Sequence, residues 1–222
     1  MMMRVTMGNP DHPEYGVMTA PFPIPDGQYS YVLDMLSMLE IGEARKADCK
    51  VEKIDSMWSV LKRLENQLVD VDELNYLAKR LDAFDPYEAA QFSSIAEARN
   101  YTSVKDLINL TFCCQQATVI TDFSDLAAVG RNHYMILHGG CAKTEALDAL
   151  DGEKTARLLI KSGSGIITPY GVVYDNGMQL NQLYSGQNFP GYYYRQNVLT
   201  VAATPKSEPT DSENITWLYL PM

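Results

Sequence analysis

Apolar positions along the chain follow two periods, and the switches between them divide it into three sections. Residues 4–7 and 15–20 read as short strands around the turn Gly8-Asn9-Pro10-Asp11-His12-Pro13-Glu14. Pro21-Phe22-Pro23-Ile24-Pro25 reads as a stiff connector, because proline has no N–H to give a central strand. Tyr29, Val32, Leu33, Leu36 and Leu39 recur at helical spacing, and Gly42 stops that helix. Cys49 to Ile54 alternates like a strand with one solvated face, and a transition follows through Trp58, Leu61 and Leu64.

The middle is a run of short helices whose starts are written in capping chemistry. Asp70-Val71-Asp72-Glu73 opens a helix with the face Leu74, Leu77, Ala78, Leu81 and Phe84. Asp85-Pro86-Tyr87-Glu88 opens the next, with proline where its missing N–H costs nothing. Ser103-Val104-Lys105-Asp106 and Asp122-Phe123-Ser124-Asp125 open a third and a fourth. Each places a capping oxygen at the start and an acid three residues on, which can reach back to a free backbone donor.

After Gly139-Gly140 one helix is expected from about Thr144 to Leu159, with Gly152 a possible break. Strands follow at Ile166–Thr168 and Gly171–Tyr174, with a turn at Asn176-Gly177. Tyr192-Tyr193-Tyr194, a strand at Val198–Val201, a polar loop over 204–214 and a closing strand at Ile215–Leu220 complete the chain. The predicted fold is α+β, with small mixed sheets at both ends flanking a central section of short helices. Its divisions are an N-terminal β-β-α-β module over residues 1–68, a helical section over 69–138, and a tyrosine-rich α+β module over 139–222.

Charge changes this picture more than composition does. The net charge is −10 over 222 residues. Residues 26–125 carry 18 acids against 10 bases, and residues 126–222 carry 8 against 7. That balance argues against direct nucleic-acid binding, which needs a basic surface, and permits a partner whose own site is basic. No apolar run reaches membrane-span length, and the N-terminus lacks the apolar region of a secretory signal, so a cytoplasmic location is expected. Cys49, Cys113, Cys114 and Cys141 form no Cys-x-x-Cys pair and are expected as free, buried thiols.

Residues Asp72 to about Tyr134 resemble the antirestriction protein family of the ArdA type, found on conjugative elements of bacteria. The likeness lies in Leu74-Asn75-Tyr76-Leu77-Ala78, in Leu81-Asp82, in Ser103-Val104-Lys105-Asp106-Leu107-Ile108-Asn109-Leu110-Thr111 and in Asp122 to Arg131. It implies an elongated homodimer of small α+β domains without a cofactor or catalytic residues. It also implies surface carboxylates that imitate the phosphate charge of bent duplex DNA and occupy a type I restriction–modification enzyme. The carboxylates available are Glu65, Asp70, Asp72, Glu73, Asp82, Asp85, Glu88, Glu97, Asp106, Asp122 and Asp125. Most of them also read as caps or first-turn charges, whereas Glu65, Asp72, Asp82 and Glu97 lack that explanation and read otherwise as a solvated helix face.

The charge count limits how far such mimicry goes. About 20 base pairs of duplex carry about 40 negative charges, so a monomer at −10 supplies a quarter. Three alternatives stay open. One is a protein-binding module aimed at a different target, such as an RNA-guided nuclease. Another is a small enzyme of unknown chemistry using Cys141 and His138, since a thiolate beside an imidazole is a valid catalytic pair. The third is a structural protein whose acidity serves only solubility. A metal site from Cys113, His133, His138 and Cys141 has no familiar ligand spacing.

Overall fold

Residues 3–191, 198–203 and 216–221 are described by the computed structural model, in two units, Met1–Pro190 and Gly191–Met222. Strands β1 (Met3–Gly8), β2 (Val17–Phe22), β3 (Cys49–Asp55) and β4 (Leu68–Val69) make a sheet of order β2-β1-β3-β4. Alternation sets its inner face, with Met3, Val5 and Met7 from β1 and Met18, Ala20 and Phe22 from β2 all buried. The register between β1 and β3 shifts at Thr6/Met7. Helix α1 (Tyr29–Met38) sits on β2 through Val32 and Leu36, and its chain end adds Leu39 to the core. Tyr29 and Leu33, expected on the same face, are exposed.

The proline-rich segment needs one correction. Pro21 and Phe22 belong to β2 and pair with Arg4 and Met3. They are tolerated there because β2 is an edge strand, where a missing N–H interrupts nothing.

The central helices are α2 (Val71–Asp82), α3 (Pro86–Ala98) and α4 (Val104–Leu110). Their apolar faces, including Leu74, Leu77, Phe92, Ile95, Leu107 and Ile108, are fully buried. Strands β5 (Thr118–Ile120), β6 (Ile166–Thr168) and β7 (Gly171–Tyr174) form a second sheet of order β5-β7-β6 that lies against α3. Between β5 and β6 run α5 (Leu126–Leu137), α6 (Thr144–Asp148) and α7 (Gly152–Lys161), so the helix expected over 144–159 is broken ahead of Gly152. Helices α5 and α7 cross closely because the crossing is lined by Ala127, Gly130, Gly152 and Ala156.

The α+β class and the sheets on either side of a helical middle are present, and every described strand pairing is antiparallel rather than mixed. The expected divisions at 68/69 and 138/139 fall inside the first unit. Trp58 meets Phe84 and Phe92 edge-on across one of them. Residues 178–190 return to α2 and α4 across the other, with Tyr184 and Met178 buried. In the second unit β8 (Val198–Ala203) pairs with β9 (Thr216–Pro221). Tyr192–Tyr194, the loop 204–214 and Ile215 lie outside the described residues.

Candidate functional site

Four helix starts supply most of the candidate carboxylates. Asp70 caps α2, its Oδ1 accepting from the backbone N–H of Asp72 at 2.7 Å and Glu73 at 3.3 Å. Asp85 caps α3 and closes the full reciprocal pair, with the Glu88 carboxylate accepting from the Asp85 N–H at 3.1 Å. Ser103 caps α4 and accepts from the Asp106 N–H at 3.0 Å. The fourth start differs from expectation. Asp125 caps α5, and Asp122 instead folds back on the N–H and hydroxyl of Ser124, which holds its carboxyl below the ordinary carboxylate range.

Among the described residues, most cations in ion pairs are spent on other acids. Lys46, Lys50, Arg99 and Arg157 pair with Glu43, Glu52, Asp175 and Glu153, and Arg63 pairs with Glu97 at 2.7 Å. Glu97 therefore has a partner, and Glu65 accepts from the Ile54 N–H at 2.9 Å, so both have structural roles that their positions in the sequence did not disclose. Asp82 is partly buried near the end of α2. Among the described residues, Asp70, Asp72, Glu73, Asp85, Glu88, Asp106, Asp122 and Asp125 have no ion-pair partner. The positive ends of their helices offset part of that charge. Lys105 acts on Glu73 through its charge, and Arg45 lines the same cavity as Asp70 and Asp72.

The start of α2 is the most developed of these places. A cavity of about 390 Å³ opens there, lined by Arg45, Asp70, Asp72, Tyr184, Gln187 and Phe189 among others. Glu73 stands beside it, and the Tyr184 hydroxyl donates to Glu73 Oε1 at 2.8 Å. Burial pushes the carboxyls of both Asp70 and Glu73 up, against the hydrogen bonds they accept. Burial and the Glu73 hydrogen bond likewise raise the Tyr184 phenol. Phe189 stacks on Tyr76 at 4.6 Å and on Tyr184 at 5.0 Å between ring centroids.

Two features hold the segment that carries this wall. The Asn109 side chain donates to the Tyr184 carbonyl at 3.0 Å and accepts from the Tyr184 N–H at 2.8 Å, as a neighbouring strand would. The Tyr76 hydroxyl donates to the Pro190 carbonyl at 2.8 Å. Neither Tyr184, Phe189 nor Asn109 stood out as a site residue. The tyrosine-rich character of residues 139–222 is the one signal of an aromatic surface, and it does not single out Tyr184.

The cysteine and histidine positions separate. Cys49, Cys113 and Cys114 are buried, whereas Cys141 is exposed, which corrects the expectation for that thiol. His138 stacks on Tyr134 at 4.0 Å and lies 2.8 Å from its carbonyl through Nδ1. His133 is buried against the Thr118 hydroxyl at 2.8 Å, and burial lowers its pKa. Among the described residues, no group of three or more His, Cys, Asp or Glu side chains could hold a metal ion, and no helix is long and apolar enough to cross a membrane.

The chain matches no model of a known protein family, and no curated protein matches it.

Proposed function

We propose that this protein is an antirestriction protein of the ArdA type, an acidic partial mimic of DNA that occupies the DNA channel of a type I restriction–modification enzyme. The observation that carries this reading is the placement of charge. Among the described residues four ion pairs neutralise acids elsewhere and one takes Glu97, and the carboxylates at the starts of α2, α3 and α5 have no ion-pair partner. The resemblance over residues 72–134 supports the target class. Complementary charge would speed encounter and make binding sensitive to salt. No chemistry is catalysed, no cofactor takes part, and the protein works in the cytoplasm. A homodimer belongs to the same proposal, and the exposed Leu158 (62%) and Ile167 (86%) are apolar surface that a second copy would cover.

The test is displacement of DNA from a purified type I enzyme at two salt concentrations, with the parent chain and the triple variant Asp70→Asn, Asp85→Asn, Asp125→Asn. Asparagine caps a helix about as well as aspartate, so the variant loses charge and keeps its helices. Displacement that weakens steeply with salt, and weakens again in the folded variant, supports the reading. Equal displacement by both proteins would refute the charge argument, and no displacement at low salt would remove this target.

A further inference from the structure

The cavity at the start of α2 holds polar groups that helix capping leaves unused. Asp70 is only 8% exposed, and both backbone donors it serves fall on Oδ1. Its Oδ2 accepts no hydrogen bond from a described residue, yet Asp70 lines the cavity. Phe189, stacked on Tyr76 and on the buried Tyr184, lines one side of the cavity with its exposed part. Gln187 and Asn188 add two side-chain amides that bond to no described residue. At about 390 Å³ the space falls within the roughly 300–1,000 Å³ of small-molecule pockets.

We propose that this cavity receives an alkyl guanidinium group, delivered as an arginine side chain of the partner protein. Four features of the cavity fit that group. A guanidinium is weakly hydrated, so it can shed water against the exposed Phe189 side chain where an ammonium keeps its own. Its fork of N–H donors matches a carboxylate, here the free oxygen of Asp70 with exposed Asp72 at the rim. The carbonyl oxygens of Gln187 and Asn188 can accept the remaining N–H groups. A nearly buried carboxylate is also where an arriving cation gains most, because it offsets a charge held away from water. Arg45 on the rim opposes it, so this residue acts as a brake on occupancy. The inference rests on the acidic reading above and adds the chemistry of one contact.

The experiment is a titration of the full chain, followed by NMR of the aromatic rings, with three probes and no restriction enzyme. They are the blocked tripeptide glycyl-arginyl-glycine amide, its lysine counterpart, and ethylguanidinium. The arginine peptide is expected to give saturable shifts at Tyr184 and Phe189, and the lysine peptide weaker ones. Asp70→Asn should raise the dissociation constant about tenfold, the loss of one charge-assisted hydrogen bond. Phe189→Leu is a second variant that leaves the cap untouched and should also weaken binding. Arg45→Ala should tighten it. Absence of saturable shifts, an unaffected Asp70→Asn protein, or weaker binding in Arg45→Ala would overturn the proposal. Binding of ethylguanidinium without the peptide would overturn the partner side chain as its source. Displacement of DNA without peptide binding sinks only the cavity proposal, and peptide binding without displacement sinks only the choice of target.

Discussion

Replacing Gly130 by alanine puts the packing of the α5–α7 pair to a direct test, because two effects of opposite sign meet at one atom. In an ordinary helix interior the change stabilises by about 1 kcal/mol through propensity. Here the added Cβ would lie 2.7 Å from the Gly152 carbonyl carbon and 2.9 Å from the Ala156 nitrogen, with the Gly152 oxygen nearer still. Ordinary carbon contacts lie at about 3.5–4.0 Å, so the helices must part by about an ångström. The atoms struck are backbone and cannot rotate away. Gly152 is no softer, since a Cβ there would meet the Ala127 carbonyl carbon and Cα at 3.2 Å. Overpacking of this kind costs about 1–3 kcal/mol, near the top of that range for a backbone clash. Less the propensity gain, the net loss is about 2 kcal/mol, which for a unit of this size lowers Tm by about 4–8 °C. Circular dichroism melts of Gly130→Ala measure it, with Ala128→Gly on the exposed side of α5 as a control for propensity alone. A Gly130→Ala protein melting at or above the parent temperature would refute backbone contact as what joins the two helices.

Two further predictions concern buried polar groups. Asn109→Ala strands the N–H and carbonyl of Tyr184 in the interior, and should cost about 2–4 kcal/mol in urea unfolding, with faster exchange of the Tyr184 amide; a loss under about 1 kcal/mol would count against the docking of that segment. His133 is neutral in the fold because burial lowers its pKa. The stability this gives is whole above the unfolded value of about 6.5 and is lost as pH falls through it towards the folded value. The urea-midpoint advantage of the parent over His133→Asn should therefore shrink from pH 7 to pH 5, and a constant difference would exclude His133 as the source.

The starts of α2, α3 and α4 were legible because capping is settled within four residues. Asp70, Asp85 and Ser103 each find their backbone donors inside that window. The start of α5 was misplaced by three residues for a related reason. Asp122 and Asp125 both carry capping oxygens, and Ser124 diverts the first of them into a local turn. What could not be read is what the chain does at long range. Asn109 sits in a run that scans as an ordinary helix face, and nothing near it announces a partner 75 residues on. The aromatic wall depends on the same return of the chain. Its residues look like surface tyrosine and phenylalanine until α2 is placed beneath them. Cys141 follows two glycines with positive φ on a loop, which lifts it from the core that its residue type favours.

That long return also sets an order of manufacture. Asn109, Glu73 and Tyr76 meet their partners across 75, 111 and 114 residues of chain. At roughly 5–20 residues per second, the helices carrying them leave the ribosome from a few to about twenty seconds before those partners exist. Through that interval the Asn109 amide must be satisfied by water, and the aromatic side of the cavity is missing. The acidic capping at the start of α2 is complete early, and the guanidinium pocket beside it is among the last parts of the first unit to be finished. A nascent chain is thus charged before it is shaped, and the cavity, unlike the charge, reports that synthesis has passed the last residues of the first unit.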